Sequence, residues 1–341
     1  MENIGIDVAK MNSQICILTE SGELIERRFR TCREAFNEIL GTRAPARVLI
    51  EACGESEWIA RCIEQLGHEV IVADPSYRIM YGARGAGIKT DRRDARALAE
   101  AARVGAYRAS HRLSEPQRRV RRRIVVRETL VRARSRLVIV LQALLRQDGI
   151  RVPSGCAENL ARRLEGLAIP GHLMSAIAPL LAALQGINRQ IEYSDAEIDN
   201  YAKNDSYAKN LRSAPGVGPL TATTFVNAID DPARFESAHK VEAFLGLVPR
   251  EYSSGESQRR GSLTKAGNAR ARMLLVQAAI RIRRLKNPRD ERLWRWADGI
   301  AERRGNKIAT VALARRLAGI LYAMMRDKTT YHERAQSISP A

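Results

Sequence analysis

Four acids in the first hundred residues are spaced in a way that suits metal-assisted chemistry on phosphate esters. Asp7 belongs to the first apolar run, Glu51 closes the run Arg47–Glu51, and Asp91 and Asp94 stand at i, i+3 where a helix opens. That last spacing turns both aspartates to one helix face. Taken singly, each acid has a bland role: a strand-end aspartate, a surface glutamate, and a pair complementing the positive end of a helix. Taken together they can meet, provided the elements that carry them are neighbours. Carboxylates crowded at one point repel strongly unless divalent cations neutralise them, and an all-oxygen donor set selects magnesium or manganese. Two such ions about 4 Å apart stabilise both the attacking and the leaving oxygen of a phosphoryl displacement.

The second candidate is an alcohol. Gly246-Leu247-Val248-Pro249-Arg250-Glu251-Tyr252-Ser253-Ser254-Gly255 leads into Arg259-Arg260-Gly261 and then Lys265-Ala266-Gly267-Asn268. A serine hydroxyl needs activation and electrostatic help to attack a phosphodiester. Arg250, Arg259, Arg260 and Lys265 bring positive charge to this segment, which reads as a loop over 250–261. A polar loop with no chemical role has the same composition, and the residues alone do not choose between Ser253 and Ser254. A third candidate is Pro215-Gly216-Val217-Gly218 ahead of a helical run over 220–228. It reads either as an ordinary turn or as the hairpin of a helix-hairpin-helix, with Gly216 and Gly218 letting backbone N–H groups approach a DNA phosphate. Trp294 and Trp296, beside Arg292 and Arg295, read as core packing with solvated charge rather than as a base-stacking platform.

The elements that must position these residues come in two styles. Apolar alternation predicts strands over 3–9, 14–19 and 23–30, then a helix from Arg33, a strand over 47–51, a helix over 56–66 and a strand over 69–73. Thr90 is placed to cap the helix opening at Asp91. Three meandering strands followed by helix, strand, helix, strand and helix make a mixed α/β sheet, with strand one beside strand four. After Ser114-Glu115-Pro116 the pattern changes. Residues 117–147 contain no Gly or Pro, and Ile124, Val131, Val138 and Leu145 recur every seven residues, as do Leu130, Leu137 and Leu144. One long amphipathic helix follows, with a seam fit for a bundle or a coiled coil. Its first half holds nine arginines over 118–136, Arg121 and Arg122 among them, against the single acid Glu128. A second helix is expected over 176–202 and strongly helical stretches over 269–285 and 308–325, while residues 334–341 read as a frayed end.

Charge sets the class of partner. Fifty-seven Lys and Arg against 38 Asp and Glu give a net charge of +19. A surplus of this size marks a polyanionic partner, because each neutralised phosphate releases a condensed counterion. A ribosomal-type protein or a basic membrane-surface protein would share it. No stretch reads as long and apolar enough to span a bilayer, and the chain opens on a strand instead of a signal peptide. Five cysteines without a C-x-x-C pair read as reduced thiols, neither a disulfide framework nor a zinc site. The expected setting is cytoplasmic, with nucleic acid as partner and no membrane. Two phosphate-binding alternatives fall away. Gly82 to Thr90 nearly spells a P-loop, but Ile88 stands where the lysine must follow the glycine. Gly5-Ile6-Asp7 lacks the second Asp-x-Gly strand of actin-like ATPases.

Three motifs together carry a family resemblance: Gly5-Ile6-Asp7-Val8-Ala9-Lys10, Ile50-Glu51-Ala52-Cys53-Gly54 and Lys89-Thr90-Asp91-Arg92-Arg93-Asp94-Ala95. They resemble the DEDD transposases of the insertion sequence 110 family, whose N-terminal domain is similar to the RuvC Holliday-junction resolvase. The likeness runs over nearly the whole chain, and the Arg-rich middle resembles the 1111 subgroup. It implies an α/β RNase H-like (RuvC-like) domain over 1–112, a helical, coiled-coil-like oligomerisation region over 113–205, and a mainly α-helical transposase domain over 206–341. It also implies that Asp7, Glu51, Asp91 and Asp94 bind Mg²⁺ or Mn²⁺. A serine directly before glycine serves as nucleophile in the family, and here that residue is Ser254. The expected activity is excision and insertion of a mobile element by strand cleavage and rejoining at specific sites, by a nucleoid-associated bacterial enzyme. The partners implied are element-end and target DNA, a structured noncoding guide RNA, and further copies of the chain as dimers and tetramers. Two readings compete: a metal-dependent nuclease or junction resolvase that uses water, and a non-catalytic nucleic-acid-binding protein.

Overall fold

The computed structural model describes residues 1–84, 90–254 and 257–331. They form two compact units, Met1–Leu113 and Ser114–Ala341; the stretches 113–205 and 206–341, distinguished by sequence pattern, thus fall almost wholly within the second unit.

The first unit is built on a five-stranded sheet. Its strands are β1 (Asn3–Asp7), β2 (Asn12–Leu18), β3 (Leu24–Arg30), β4 (Arg47–Glu51) and β5 (Glu69–Ala73), in the order β3-β2-β1-β4-β5. β1 runs antiparallel to β2 and parallel to β4, so strand one does lie beside strand four. The first strand is shorter than the alternation suggested and ends on Asp7. The apolar run Val48-Leu49-Ile50 is buried on both faces, as a central parallel strand requires. One face, bearing Ile4, Ile6, Val48 and Ile50, packs on helices α1 (Arg33–Leu40) and α2 (Ser56–Gln65) through Phe36, Leu40, Ile59 and Ile63. Phe36 stands edge-on to Phe29 and to Trp58, with ring centroids 5.1 and 6.0 Å apart. The opposite face carries α3 (Asp91–Val104). Thr90 caps it as expected, its hydroxyl accepting from the Arg93 N–H.

The second unit begins with two long antiparallel helices, α4 (Glu115–Gln147) and α6 (Gly171–Asn204), with the short α5 (Leu160–Leu164) in their connection. Near one end Gln117 donates to the Tyr201 hydroxyl at 3.0 Å; at the other Leu141 and Leu145 cluster with Leu173, Ile177 and Leu184. The seven-residue seam of α4 thus has a partner within its own chain, and no second copy is needed to account for the repeat. α6 starts five residues earlier than the sequence suggested and runs through Pro179. Helices α7 (Ser206–Leu211), α8 (Pro219–Ile229), α9 (Ala238–Phe244), α10 (Ala269–Leu285), α11 (Glu291–Arg304) and α12 (Asn306–Asp327) then close the largest core.

Two readings of the sequence need correction. Segment 250–261 is not a loop: it forms an antiparallel pair, β6 (Pro249–Ser254) with β7 (Ser257–Leu263). Its residues are nearly all polar, so no apolar alternation advertises the strands, although the ladder pairs their facing backbone groups all the same. The other concerns α12, which is long and apolar enough to cross a membrane. Its composition has a plainer cause. Leu313, Leu317, Leu321, Met324 and Met325 fill the core of the second unit, and the Tyr322 hydroxyl donates to the Phe235 carbonyl at 2.6 Å.

Candidate active site and nucleic-acid interfaces

Side-chain parity across the sheet puts Asp7 and Glu51 on one face. Gly5 and Leu49 are Cα partners on β1 and β4, and both lie under α3. At Gly5 the helix comes so close that a Cβ would stand 2.1 Å from the Ala95 carbonyl oxygen and 2.2 Å from the Ala99 nitrogen. No side chain fits there, so this glycine sets the approach of α3. Two residues along each strand, on the same face by the period of two, come Asp7 and Glu51, one step beyond the last parallel pair Ile6–Ile50. Both are half-buried at the C-terminal edge. Asp94 immediately precedes Ala95 in α3 and is only 3% exposed; Asp91, one turn earlier, is exposed. The scaffold thus puts Asp7, Glu51 and the acid-bearing turn of α3 on one face of one sheet. Neither Asp7 nor Asp94 stands without a partner. Among the described residues, however, no three Asp, Glu, His or Cys side chains stand close enough to hold an ion.

The neighbours of this edge show what is not available for metal chemistry. Cys16, in register with Gly5 on β2, is sealed against Ala95 and Ala99. Burial, reinforced by the Glu26 carboxylate, pushes its thiol up to about 11, so it stays neutral and offers no thiolate. Glu26 itself forms an ion pair with Arg92, fastening the first turn of α3 to β3. Asp74, just past β5, is also committed. Partial burial pushes its carboxyl up, but hydrogen bonds from the Ser76 amide and hydroxyl, at 2.8 and 2.7 Å, and from Arg108 outweigh this and hold it below its ordinary value. The donor set that remains is all carboxylate, which fits a hard divalent cation.

Ser254 is the last residue of β6, and its backbone pairs with Ser257. Gly255, the other half of the serine–glycine motif, lies outside the described residues, as do Lys89, the glycine-rich stretch 85–89 and the end 332–341. Arg259 and Arg260 pair by backbone with Tyr252 and Glu251 on the adjacent strand. Arg250 is exposed near the foot of the hairpin, and Lys265 is exposed beyond it, at the opposite end from Ser254. The foot itself is locked. Gly267 has φ +70° and sits so close to α9 that a Cβ would stand 1.8 Å from the Phe244 carbonyl oxygen, while Arg272 donates to the Leu245 and Ala266 carbonyls at 2.9 Å each. Arg270, on the first turn of α10, forms an ion pair with Glu128 of α4.

The arginine-rich half of α4 divides into two groups. Arg118 and Arg119 pair with Glu115, Arg123 with Glu197, Arg127 with Asp195 at 2.5 Å, Arg132 with Glu128 and Arg134 with Glu158. Arg121, Arg122 and Arg136 are exposed and have no ion-pair partner among the described residues. Burial and the nearby Arg121 charge lower the Arg270 guanidinium from its ordinary value, so positive charge is crowded where α4 meets the start of α10. Arg123 and Arg127 tie α4 to α6 and Arg134 ties it to the connection, Arg118, Arg119 and Arg132 pair within α4 itself, and Arg121, Arg122 and Arg136 are left exposed.

The Pro215–Gly218 turn joins α7 to α8. Gly216, at φ +70°, is pressed against α10, where a Cβ would stand 2.8 Å from the Ala278 carbonyl oxygen. Its presence therefore has a packing explanation. Gly218 faces open space at the N-terminus of α8 and looks onto a cleft of about 520 Å³ whose walls include Arg212, Arg281 and Arg289. Arg212 is far along the chain from Arg281 and Arg289, and no local pattern in the sequence joins the three. Trp294 packs against the core and donates to the Asn287 carbonyl, while Arg316 lies 4.5 Å over the partly exposed Trp296 ring.

Comparison with known proteins bears on both units. Residues 4–148 match a family model described as a transposase of the DEDD, IS110 type. Residues 208–295 match the model described as the transposase IS116/IS110/IS902 family. A probable family 20 transposase of Pseudomonas aeruginosa is 30% identical over 337 residues, 97% of this chain and 98% of that protein. The transposase for insertion sequence element IS1111A of Coxiella burnetii is 30% identical, covering 96% of this chain and 90% of its own length. The corresponding protein for element IS1328 of Yersinia enterocolitica is 30% identical, over 96% and 98%.

Proposed function

The chain belongs to the IS116/IS110/IS902 transposase family, enzymes that process DNA by phosphoryl transfer, and from that premise we propose that it cuts and rejoins DNA with Ser254 as its nucleophile and with Asp7, Glu51, Asp91 and Asp94 as its metal-binding acids. The observation that carries the reading is the shared face and edge of Asp7, Glu51 and the first turn of α3, in a sheet whose strand order suits an RNase H-like domain. A bound Mg²⁺ would supply charge neutralisation at the scissile phosphate. The protein's own part is to hold oxygen donors at one edge and to present a serine alcohol on a hairpin that also carries Arg250, Arg259 and Arg260. The Ser254 oxygen bonds to phosphorus, its proton passes to a carboxylate, the strand oxygen leaves and takes up a proton, and the bond energy persists in the phosphoserine link. A hydroxyl from the second strand then displaces Ser254 and completes joining. By family resemblance, a structured noncoding RNA selects the DNA sites, dimers or tetramers bring the acids of one copy to the serine of another, and the work is done at the bacterial nucleoid. Arg121 and Arg122 on α4, Gly218 at the N-terminus of α8, and Arg250, Arg259, Arg260 and Lys265 on and around the hairpin are the proposed phosphate contacts.

Mass spectrometry of a trapped protein–DNA adduct tests the nucleophile. The modified peptide is expected to carry the phosphoryl group on Ser254; Ser254→Ala abolishes adduct and recombination with DNA binding retained, and Ser253→Ala keeps both. An adduct on Ser253 or Tyr252 overturns the assignment. Hydrolytic cleavage at normal rate in Ser254→Ala promotes the water-using resolvase, and indifference of cleavage to chelator removes the metal.

A further inference from the structure

A groove of about 540 Å³ runs between the foot of the β6–β7 hairpin and the start of α12. One wall holds Leu247 with Pro249 and Leu263, which are Cα partners across the hairpin. The other holds Ile308, Val311 and Ala312, at i, i+3 and i+4 on one face of α12. Ile308 is 48% exposed, although it belongs to the helix that forms the centre of the core. The charged residues of the groove differ in what they can offer. Arg315 is spoken for by Glu242, whereas Arg304 and Lys307 are exposed and have no ion-pair partner among the described residues. The groove also meets the end of a long helix. The first i→i−4 bond of α12 runs from Ala309 to Gly305, so the N–H groups of 306–308 precede it, and the Gly305 cap has no side chain to receive them. An apolar slot thus ends in two free cations and the positive end of a 22-residue helix.

We propose that this groove seats a single unstacked nucleotide of a DNA strand, with the base on the apolar floor and its phosphate at Lys307, Arg304 and the N-terminus of α12. An apolar side chain from a partner protein would fill the slot and leave the cations unanswered. A phosphate alone would leave the apolar walls wet. Bases in an intact duplex are stacked and cannot enter, so the occupant is a nucleotide of a single strand or one turned out of a helix. The inference rests on the chain's action on DNA and is independent of which serine attacks. It puts a strand-holding site at the foot of the hairpin whose far end carries Ser254.

The test uses the full chain and fluorescein-labelled oligodeoxynucleotides, single-stranded and duplex, with 4-thiothymidine at one position for photocrosslinking. Val311→Trp, which fills the slot, is expected to weaken single-strand binding by about tenfold, the scale of one seated base, and duplex binding by less than about twofold. Lys307→Ala should lower the log–log salt slope by roughly one. Crosslinks should map to peptides containing 247–249 or 304–312. Unchanged single-strand affinity in a folded Val311→Trp, crosslinks confined to other peptides, or equal losses for duplex and single strand would each overturn the proposal. Tighter groove-dependent binding of the matching RNA oligonucleotide would overturn its assignment to DNA. Should Val311→Trp fail to fold, Ile308→Asn at the more exposed position carries the same expectation. Binding and crosslinking report the groove and the trapped adduct reports the nucleophile, so failure of the one and failure of the other are read separately.

Discussion

The acid edge and the serine hairpin are fixed by the same device and to different depths. In both, a glycine lets two backbones touch: Gly5 under α3, and Gly267 against the end of α9. Asp7 and Glu51 each adjoin a buried residue in a sheet covered on both faces, and Asp94 is itself buried in the helix that covers one of them. Ser254 lies five residues along a two-stranded ladder from Pro249, roughly 17 Å from the locked foot. Two strands alone are marginal in water, so the foot sets the hairpin's direction while its far end gains little from the core. The positions of Asp7, Glu51 and Asp94 are therefore built into the folded unit, whereas Ser254 stands at the end of the hairpin away from its anchor.

The largest effects test the acid side. Glu51→Gln and Asp91→Asn should each reduce strand cleavage by about a thousandfold or more while DNA affinity stays within about twofold. Near-normal cleavage by either variant in a gel assay would break the assignment. The glycines come next. Gly5→Ala must push α3 off β1 and should destabilise the unit Met1–Leu113 by roughly 3 kcal/mol, read from its denaturant midpoint. Gly267→Ala adds a Cβ at a left-handed position and should destabilise the second unit by about 1–3 kcal/mol, leaving the first unit's transition in place. If both variants shifted both transitions alike, the two anchors would not be separate.

Smaller effects separate binding from stability. Arg121→Gln with Arg122→Gln should lower the salt slope of DNA or RNA affinity by roughly one for each phosphate no longer neutralised. Arg127→Gln, whose partner is Asp195, should leave the slope unchanged and lower stability instead. Thiol labelling is the mildest probe. Because burial keeps the Cys16 thiol both neutral and covered, iodoacetamide at pH 8 should modify exposed Cys53 and Cys156 and spare Cys16 until the unit unfolds. Rapid modification of Cys16 at pH 8 in folded protein would show that α3 does not seal β2.

Much of the acid edge is legible in the sequence because it depends on short-range regularities. Period-two alternation marks the strands, Thr90 marks the start of α3, and the i, i+3 pair marks the shared face of Asp91 and Asp94. The element order puts strand one beside strand four. The hairpin is not legible, because its residues are polar on both sides and strand pairing there is a property of the backbone. The division of the α4 arginines is equally hidden: Arg121 and Arg127 look alike until α6 places Asp195 beside one of them.

Residue order alone supplies the candidate reactive groups, most of the local elements that bear them, and a net positive charge suited to a polyanionic partner. Packing settles which distant residues share a space: Gly5 with Ala95, Glu128 with Arg270, Gly216 with Ala278, and Pro249 with Ile308 across the groove. Periodicity records which side of its own helix or strand a residue faces. The partner on that side is chosen by how the elements pack, at separations along the chain that no local pattern spans.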